Sequence, residues 1–247
     1  EHHAEAEIHQ DGSMNESYVY QTGTAGGSWN KALVYQDGAD NVSDINQVGE
    51  GNKAGYGAYG FGNTFTADQD GFDNQAAIDQ YRWRDADNYG NDVSVTQSNS
   101  SAGLGNRAYM QMKGDDNTVT VEQSGSWNQI RAGGMFPDVD AEALLSDLSA
   151  FFKYEGDAST ISMTQSGNQN LVSGEAHSSG MDLNINQQGN VNETYLSVGT
   201  TGLLSGNMID VDQLGNYNVA DIAIESDHNT AIVNQTGNGN TASIDQQ

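Results

Sequence analysis

Paired carboxylates are the residues in this sequence that come nearest to a catalytic pattern. Asp115 and Asp116 are adjacent, and Asp210 and Asp212 are one residue apart. Some β-helix enzymes carry carboxylate clusters of this kind on one face. Here, however, these residues fall at turn or outward positions of the repeat described below, where a solvated charge needs no further reason. Since serine-hydrolase, zinc-protease and phosphate-loop signatures are also missing, we expect no enzymatic activity and no catalytic residue.

A metal site is the second chemistry to consider. His2, His3 and His9 cluster near the start of the sequence, and histidine is a common metal ligand. No matching ligands accompany them, and the calcium-binding Gly-Gly-x-Gly-x-Asp nonapeptide is missing. We therefore expect no metal and no cofactor.

Aromatic and threonine residues could form a binding surface. Tyr81, Trp83 and Tyr89 lie in one insertion and resemble a loop that contacts carbohydrate or a protein partner. We favour the alternative that these rings cover a corner of the fold. An ice-binding surface would need a flat, regular array of threonine, whereas threonine is scattered along this sequence.

Composition limits the classes of partner. Asp and Glu outnumber Lys and Arg by 34 to 8, which gives a net charge of −26. Such a chain is unsuited to binding nucleic acid or anionic membranes, because both require basic surfaces. Cysteine is absent, so disulfides and thiolate chemistry are excluded. No apolar run reaches the roughly 20 residues that span a bilayer, and we expect neither membrane insertion nor a signal peptide in this chain.

An 11-residue repeat explains most of the sequence. Its pattern is Asn-x-apolar-x-apolar-x-Gln-x-Gly-x-x, as in Asn63–Gln69 and Asn74–Gln80. Alternation of period two predicts a strand, and the glycine predicts a tight arc. We count 19 such units, two to each 22-residue rung. The pattern therefore predicts an all-β fold: a β-solenoid of about 19 stacked strands in two facing parallel sheets, with residues 1–247 forming one domain.

Three sets of repeated residues are predicted to have structural roles. Amides at fixed strand positions should stack as hydrogen-bonded ladders, because buried amides without partners are costly. The predicted glutamine ladder is Gln21, Gln47, Gln69, Gln97, Gln123, Gln165, Gln187, Gln213 and Gln235. The predicted asparagine ladder is Asn30, Asn52, Asn74, Asn106, Asn128, Asn170, Asn192, Asn218 and Asn240. The predicted arc glycines are Gly23, Gly49, Gly71, Gly125, Gly167, Gly189, Gly215 and Gly237.

The two corners of the predicted solenoid differ. All units of even number end on the ladder glutamines, so that corner is regular. Only some odd units do so, at Gln10, Gln36, Gln80 and Gln246. The remaining odd units carry Ala58, Met112, Gly134, Ala176, Val198 and Ile224 at this position. We expect a relaxed second corner from which most insertions leave.

The longest insertion, at about 135–158, carries the only proline. Pro137 and Asp138 could begin a helix. Apolar residues that would share one helical face are Val139, Ala143, Leu144, Leu148, Phe151 and Phe152. The sequence predicts one short helix here, packed on the side of the solenoid.

The repeat resembles that of the curlins, the subunits of curli fibres. The shared pattern is Ser or Asn, five residues, and then Gln-x-Gly-x-x-Asn-x-Ala-x-x-x-Gln. It is met from Asn63 to Gln80 and from Asn229 to Gln246, and in part from Ser43 to Ala54. The resemblance implies an extracellular functional amyloid of the biofilm matrix. It also implies a nucleator subunit and secretion or chaperone proteins as partners. Curlins have about five two-strand repeats and a glycine-rich leader, and this chain departs from both features.

The chain's most favoured partner is therefore a second copy of itself. Repeat units begin at Ala4 and end at Gln246, so strands with open edges should lie near both ends and allow head-to-tail polymerisation. An odd number of units predicts that neighbouring copies are related by about half a turn. The alternative function is a monomeric β-solenoid that binds carbohydrate, a surface or ice as an adhesin.

Overall fold

The protein is all-β in the computed structural model, which describes residues 4–23, 29–80, 88–101, 105–131 and 152–247. These residues form two parallel sheets that face each other, with no helix among them. Strands alternate between the sheets along the chain, so each pair of strands adds one rung to a β-solenoid. The predicted fold class is confirmed at this level.

The first sheet contains 13 strands of the described chain. Its main column is β1 (Ala4–Ser13), β3 (Asn30–Ala39), β5 (Lys53–Phe61), β7 (Gln75–Gln80), β10 (Arg107–Lys113), β12 (Gln129–Arg131), β15 (Leu171–Ser179), β17 (Glu193–Val198), β20 (Val219–Ile224) and β22 (Thr241–Gln246). Three short strands pair beside this column: β8 (Asn88–Tyr89), β13 (Phe152–Glu155) and β18 (Leu204–Ser205).

The second sheet contains nine strands and no side branch. They are β2 (Glu16–Thr22), β4 (Val42–Glu50), β6 (Thr64–Phe72), β9 (Asp92–Ser98), β11 (Thr118–Ser126), β14 (Thr160–Asn168), β16 (Asp182–Asn190), β19 (Met208–Asn216) and β21 (Thr230–Thr236).

Equivalent repeat positions pair directly across neighbouring strands. Gln97 pairs with Gln69 below and with Gln123 above, and Gln123 pairs in turn with Gln165. The sequence separation rises from 26 to 42 residues between the last two pairs. The insertions therefore change the length of chain between strands without changing the register.

A thin apolar core lies between the sheets. Inward pairs such as Ala76 and Ile78 are fully buried. A larger contact occurs where the ring of Tyr56 stacks on Phe65 with centroids 4.6 Å apart. Because apolar side chains alternate with outward polar ones, the core is continuous along the stack although the sequence is polar overall.

The arcs depend on glycine for a steric reason. Gly167 has φ of 112°, and a Cβ atom there would lie 2.0 Å from the carbonyl oxygen of Gly189 in the next rung. All the predicted arc glycines have positive φ except Gly23. Positive φ and close stacking together exclude any side chain at Gly49, Gly71, Gly125, Gly167, Gly189 and Gly215, whereas Gly237 has positive φ but no such close neighbour.

The strand count differs from the prediction, and the predicted helix is not confirmed. The described residues form 22 strands instead of 19, because β8, β13 and β18 are additional short pieces. Most of the predicted helix lies outside the described residues. Phe152, which was predicted on its apolar face, belongs instead to β13, where it pairs with Met110.

One repeat unit is split across the longest insertion, which corrects its predicted boundary. Strand β12 ends at Arg131, and β13 continues the same rung from Phe152. Tyr154 pairs with Met112 and with Ala176, so it occupies the column position predicted for Gly134. The rung therefore resumes well before residue 158.

Candidate functional site

The most ordered polar feature is a continuous column of glutamine side chains in the second sheet. Gln97 Nε2 donates to Gln123 Oε1 at 2.7 Å, and Gln123 Nε2 donates to Gln165 Oε1 at 2.7 Å. The same bond joins every neighbouring pair from Gln21 to Gln235, at 2.7–2.9 Å. All these bonds run in one direction, so each donor faces the C-terminal end of the solenoid.

Each column glutamine also ties the two sheets together. The second N–H of Gln123 donates to the carbonyl oxygen of Arg107 at 3.0 Å, and Gln47 does the same to Lys31 at 2.9 Å. The acceptor is always in the preceding strand of the first sheet's main column. Both amide hydrogens of each inner glutamine are thus used, which satisfies a buried group that would otherwise be costly.

The predicted asparagines form a second column with the opposite polarity. The backbone N–H of Asn128 donates to Asn106 Oδ1 at 3.1 Å, and that of Asn170 donates to Asn128 Oδ1 at 3.2 Å. Asn128 Nδ2 also donates to the carbonyl oxygen of Gly167 at 2.9 Å. Since each asparagine binds the arc of the neighbouring sheet, this column fixes the shape of the regular corner.

Two further asparagine columns were missed by the sequence analysis. One begins the strands of the second sheet, where the N–H of Asn63 donates to Asn41 Oδ1 at 3.1 Å. The other is exposed on the arcs, where Asn190 Nδ2 donates to Asn216 Oδ1 at 2.9 Å. The first was visible in the sequence as the unit-initial asparagines of the even units. The second follows the arc glycine at a position that looked variable.

The other corner has no continuous ladder of amide hydrogen bonds, in keeping with its less regular sequence. Gln80 is buried, but its Nε2 has no hydrogen-bond partner in the described chain, and its Oε1 accepts only from the hydroxyl of Tyr56 at 3.2 Å. Its neighbours in the column are Ala58 and Met112. Apolar packing replaces the amide ladder there.

Three of the four carboxylates considered for catalysis accept structural hydrogen bonds. Asp115 Oδ1 accepts the backbone N–H of Tyr89 at 2.9 Å, which ties neighbouring arcs. Asp210 and Asp212 accept from Asn184 and Asn186 on the outer face of the second sheet. Asp116 and Asp212 are exposed, and Asp115 and Asp210 are half-buried.

The residues considered for metal or aromatic sites are only partly described. His2, His3, Tyr81 and Trp83 lie outside the described residues. Tyr89 stacks on Phe61, with centroids 5.4 Å apart.

His9 is exposed and hydrogen-bonded to Glu7 Oε1 at 2.6 Å. No group of three or more His, Asp or Glu able to hold a metal occurs within the described ranges.

Threonines that are scattered in the sequence come together in the structure. Strands β6, β9, β11 and β14 place them side by side on the outer face of the second sheet, at Thr64, Thr66, Thr96, Thr118, Thr120, Thr160 and Thr164. Asp68, Asp92 and Glu122 share this block. The block is therefore a continuous surface of hydroxyl and acidic side chains on paired strands.

Within the described residues, the largest group of charged partners lies on the outer face of the first sheet. Lys113 Nζ donates to Glu155 Oε1 at 2.6 Å, and His177 Nδ1 lies 3.4 Å from Glu155 Oε2. The hydrogen bond from Lys113 holds the pKa of Glu155 below its usual value. Burial raises the pKa of the neighbouring Tyr154 to about 12.

Comparison with known proteins gives no family model that matches the chain and no curated protein sequence similar to it. The described residues also include no helix long and apolar enough to cross a membrane.

Proposed function

We propose that the protein is the structural subunit of an extracellular curli-like amyloid fibre, built by head-to-tail stacking of solenoids. The observation that carries this proposal is the single direction of the glutamine column. A column whose donors all face one end has complementary ends by construction. Two copies of the chain can therefore continue the column without changing any bond type.

The end strands offer the matching groups. Gln235 and Gln246 each donate one N–H to a carbonyl across the core, at 2.9 and 3.3 Å, which leaves their second N–H directed along the stack. At the other end, nothing in the described chain donates to Oε1 of Gln10 or Gln21. Two donors thus face two acceptors. The edges of β1 and β22 add backbone groups, because β1 pairs only with β3 and β22 only with β20 among the described strands.

The proposal includes a specific junction for the polypeptide of residues 1–247, with its 19 repeat units. Strands β1 and β22 lie in the same sheet. Successive strands alternate between the two sheets, and each is displaced along the solenoid axis from the one before it. The bond from each ladder glutamine to the preceding strand of the other sheet indicates this displacement. An unbroken spiral then requires the neighbour's β1 to stack on β21 and its β2 on β22. This arrangement relates the copies by about half a turn, and it gives Gln10 Nε2 an acceptor, the carbonyl of Thr241 in the neighbouring copy.

A pure translation would be a poorer junction. It would stack the neighbour's β1 on β22 and leave the place of one strand empty beside β21. Several backbone and amide groups would then be buried without partners, each costing about 1–3 kcal/mol. Helical reconstruction of the fibre should therefore give a rotation near half a turn. A reconstruction with near-zero rotation would contradict this junction and leave the fibre proposal intact.

The resemblance to curlins supports the wider part of the proposal. It suggests a role in the biofilm matrix and in adhesion, with a nucleator subunit and secretion or chaperone proteins as partners. The large negative charge favours a chain that stays soluble until its end faces meet.

Electron microscopy and fibre diffraction on the purified polypeptide test the proposal. We expect unbranched fibres with a meridional reflection near 4.8 Å. Gln235→Lys should stop elongation, because it places a charge in the terminal amide column. Asn234→Lys is the matched control, since it adds the same charge on the outer face of the same strand. Persistent monomers of the wild type would refute the fibre, and fibres from Gln235→Lys would refute the amide junction.

One observation favours the alternative, a monomeric surface-binding solenoid. The positions of the hydroxyl block on the second sheet are in register on four paired strands, so they repeat at the spacing of parallel strands, about 4.8 Å. A protein that stays monomeric and shows thermal hysteresis at millimolar concentration would support an ice-binding role. Loss of that activity in Thr120→Lys, with the fold retained, would assign it to the block.

A further inference from the structure

A cleft of about 260 Å³ runs along the outer face of the first sheet, beside the regular corner. Its floor is a row of paired strand residues that includes Arg107, Gln129 and Glu193. Its wall is formed by Trp127 and Gln169 on successive arcs. Asn170 of the asparagine column borders the cleft, and the proposed fibre junction does not use it.

The wall of the cleft is set by backbone geometry. Trp127 and Gln169 both have positive φ, 61° and 58°, and the N–H of Gln169 donates to the carbonyl oxygen of Ser126 at 2.9 Å. These two side chains therefore project outward from equivalent arc positions in neighbouring rungs. The indole of Trp127 is 37% exposed. An exposed tryptophan at the lip of a cleft offers an apolar face to a ligand.

Arg131 gives the cleft its charge. It lies two residues after Gln129 on the same strand, so it faces outward beside it. Its Nε and Nη1 atoms are buried, and neither has a hydrogen-bond partner in the part of the chain that the structure describes. Burial and the nearby positive charge of Arg107 lower the pKa of Arg131. No carboxylate of the described residues pairs with Arg131, although the chain has 34 acidic residues.

We infer that this cleft binds a carboxylate-bearing sugar of the uronic acid class, with Arg131 receiving the carboxylate and Trp127 the sugar ring. A guanidinium presents parallel N–H donors whose spacing matches the two oxygens of a carboxylate. Because Nε and Nη1 of Arg131 are buried in the unliganded cleft, binding requires this guanidinium to turn toward the ligand, where both donors gain acceptors. Arg107 gains a nearby negative charge. Gln169 and Glu193 supply polar groups for ring hydroxyls. The volume suits one or two sugar residues and is too small for a folded partner.

Isothermal titration with trigalacturonate tests this inference, on polypeptide kept dilute and confirmed as monomeric by light scattering. Binding should be detectable for the wild type and at least tenfold weaker for Arg131→Met. Trp127→Ala should weaken it severalfold. Lys53→Met is the matched control, because Lys53 lies in the same row of the first sheet but outside the cleft. Its affinity should equal that of the wild type.

Two ligand controls separate the sources of affinity. Methyl-esterified trigalacturonate keeps the rings and loses the charge, so it should bind at least tenfold more weakly. Acetate and inorganic phosphate should compete only at concentrations at least a hundredfold higher. Equal binding of the ester would overturn the role of the carboxylate, and equal competition by acetate would overturn the role of the sugar.

Thermal unfolding without ligand gives an independent readout. Because Arg131 has buried donors without partners and repels Arg107, Arg131→Met should unfold at the same temperature as the wild type or higher. A marked loss of stability would show that Arg131 has a structural partner and would overturn the inference. Absence of trigalacturonate binding by the wild type would also overturn it, whatever the outcome of the fibre experiments.

Discussion

Replacing one ladder glutamine should cost far more than replacing a glutamine of the same burial at the other corner. Gln123→Met removes three hydrogen bonds from buried groups: the donor of Gln97, the acceptor of Gln165 and the backbone carbonyl of Arg107. Methionine has nearly the same length, so packing is little changed. Gln80→Met is the matched control, because Gln80 is equally buried and its Nε2 is already without a partner in the described residues.

The magnitude follows from counting the groups left without partners. Each net hydrogen bond contributes about 1 kcal/mol, so Gln123→Met should lower the free energy of unfolding by about 3 kcal/mol. Gln80→Met loses only the bond from the Tyr56 hydroxyl, and since methionine is easier to bury, the change should lie within about 1 kcal/mol of zero. For a protein of this size the difference corresponds to roughly 4–12 °C in melting temperature.

Thermal and urea unfolding of dilute, monomeric protein would measure both variants, with light scattering to verify the absence of fibres. The same pair should also differ in fibre stability, since the ladder runs through every rung. Equal stabilities for the two variants would refute the reasoning, because the column would then contribute no more than apolar packing. A large cost for both would show that burial and shape, and not the ladder, decide the stability at these corners.

Three other substitutions test the arcs and the charged groups. Gly167→Ala should lower the free energy of unfolding by at least about 3 kcal/mol, because its Cβ would meet a carbonyl oxygen at 2.0 Å; Gly180→Ala, with open space around it, should cost about 1 kcal/mol in the same thermal unfolding assay. The pKa of Glu155 is lowered in the folded protein, so its contribution to the free energy of unfolding is present above its unfolded pKa of about 4.3 and is lost as the pH falls through its folded pKa. In urea unfolding, Glu155→Gln should therefore match the wild type at about pH 3 and be slightly less stable than the wild type at pH 7. The pKa of Tyr154 is raised to about 12, so its contribution to the stability of the folded protein is present below about pH 10 and is lost as the pH rises toward 12. In an absorbance titration, Tyr154→Phe should remove one phenolate transition near pH 12.

The repeat predicted the columns because register in a parallel stack leaves little freedom. Once one unit is aligned with the next, a glutamine at a fixed position must lie above another glutamine, as Gln69 lies above Gln47. A shift by one residue would turn the apolar set outward. The strand alternation, the facing sheets and the arc glycines follow from the same pattern, so they could be predicted without any coordinates.

The split rung could not be predicted from the repeat alone. After Arg131 the sequence continues with small residues that satisfy the pattern formally, which favoured an unbroken unit. In the structure Phe152 and Tyr154 fill the rung instead, and both are almost fully buried. Burying two aromatic rings stabilises the core by several kcal/mol more than burying alanine and glycine would. A competition between distant segments for one site is decided by volume, and the periodicity does not contain that information.

The cleft and the hydroxyl block were also beyond the repeat pattern. Arg107 and Arg131 are 24 residues apart in the sequence. They become neighbours only because β10 and β12 pair directly, and no insertion interrupts the chain between these two strands. Outward positions carry no constraint from the core, so their residue types vary freely along the sequence. Only the coordinates show which of them share a surface.

The distribution of glutamine at the relaxed corner supports a junction that uses both corners. In a half-turn junction, Gln10 of the incoming copy stacks on Gln235, and Gln21 stacks on Gln246. Both corners then need an amide at the end strands, although the relaxed corner needs none inside the stack, where apolar packing replaces it. The relaxed column largely follows this rule: it keeps glutamine in β1 and β22, and its interior keeps glutamine only at Gln36 and Gln80. The six other interior positions are Ala58, Met112, Tyr154, Ala176, Val198 and Ile224. Gln246→Met should therefore reduce fibre elongation far more than it reduces the stability of the monomer, because its outward N–H has no partner until a second copy binds. Equal effects on elongation and on stability would instead show that this glutamine serves only the subunit's own fold.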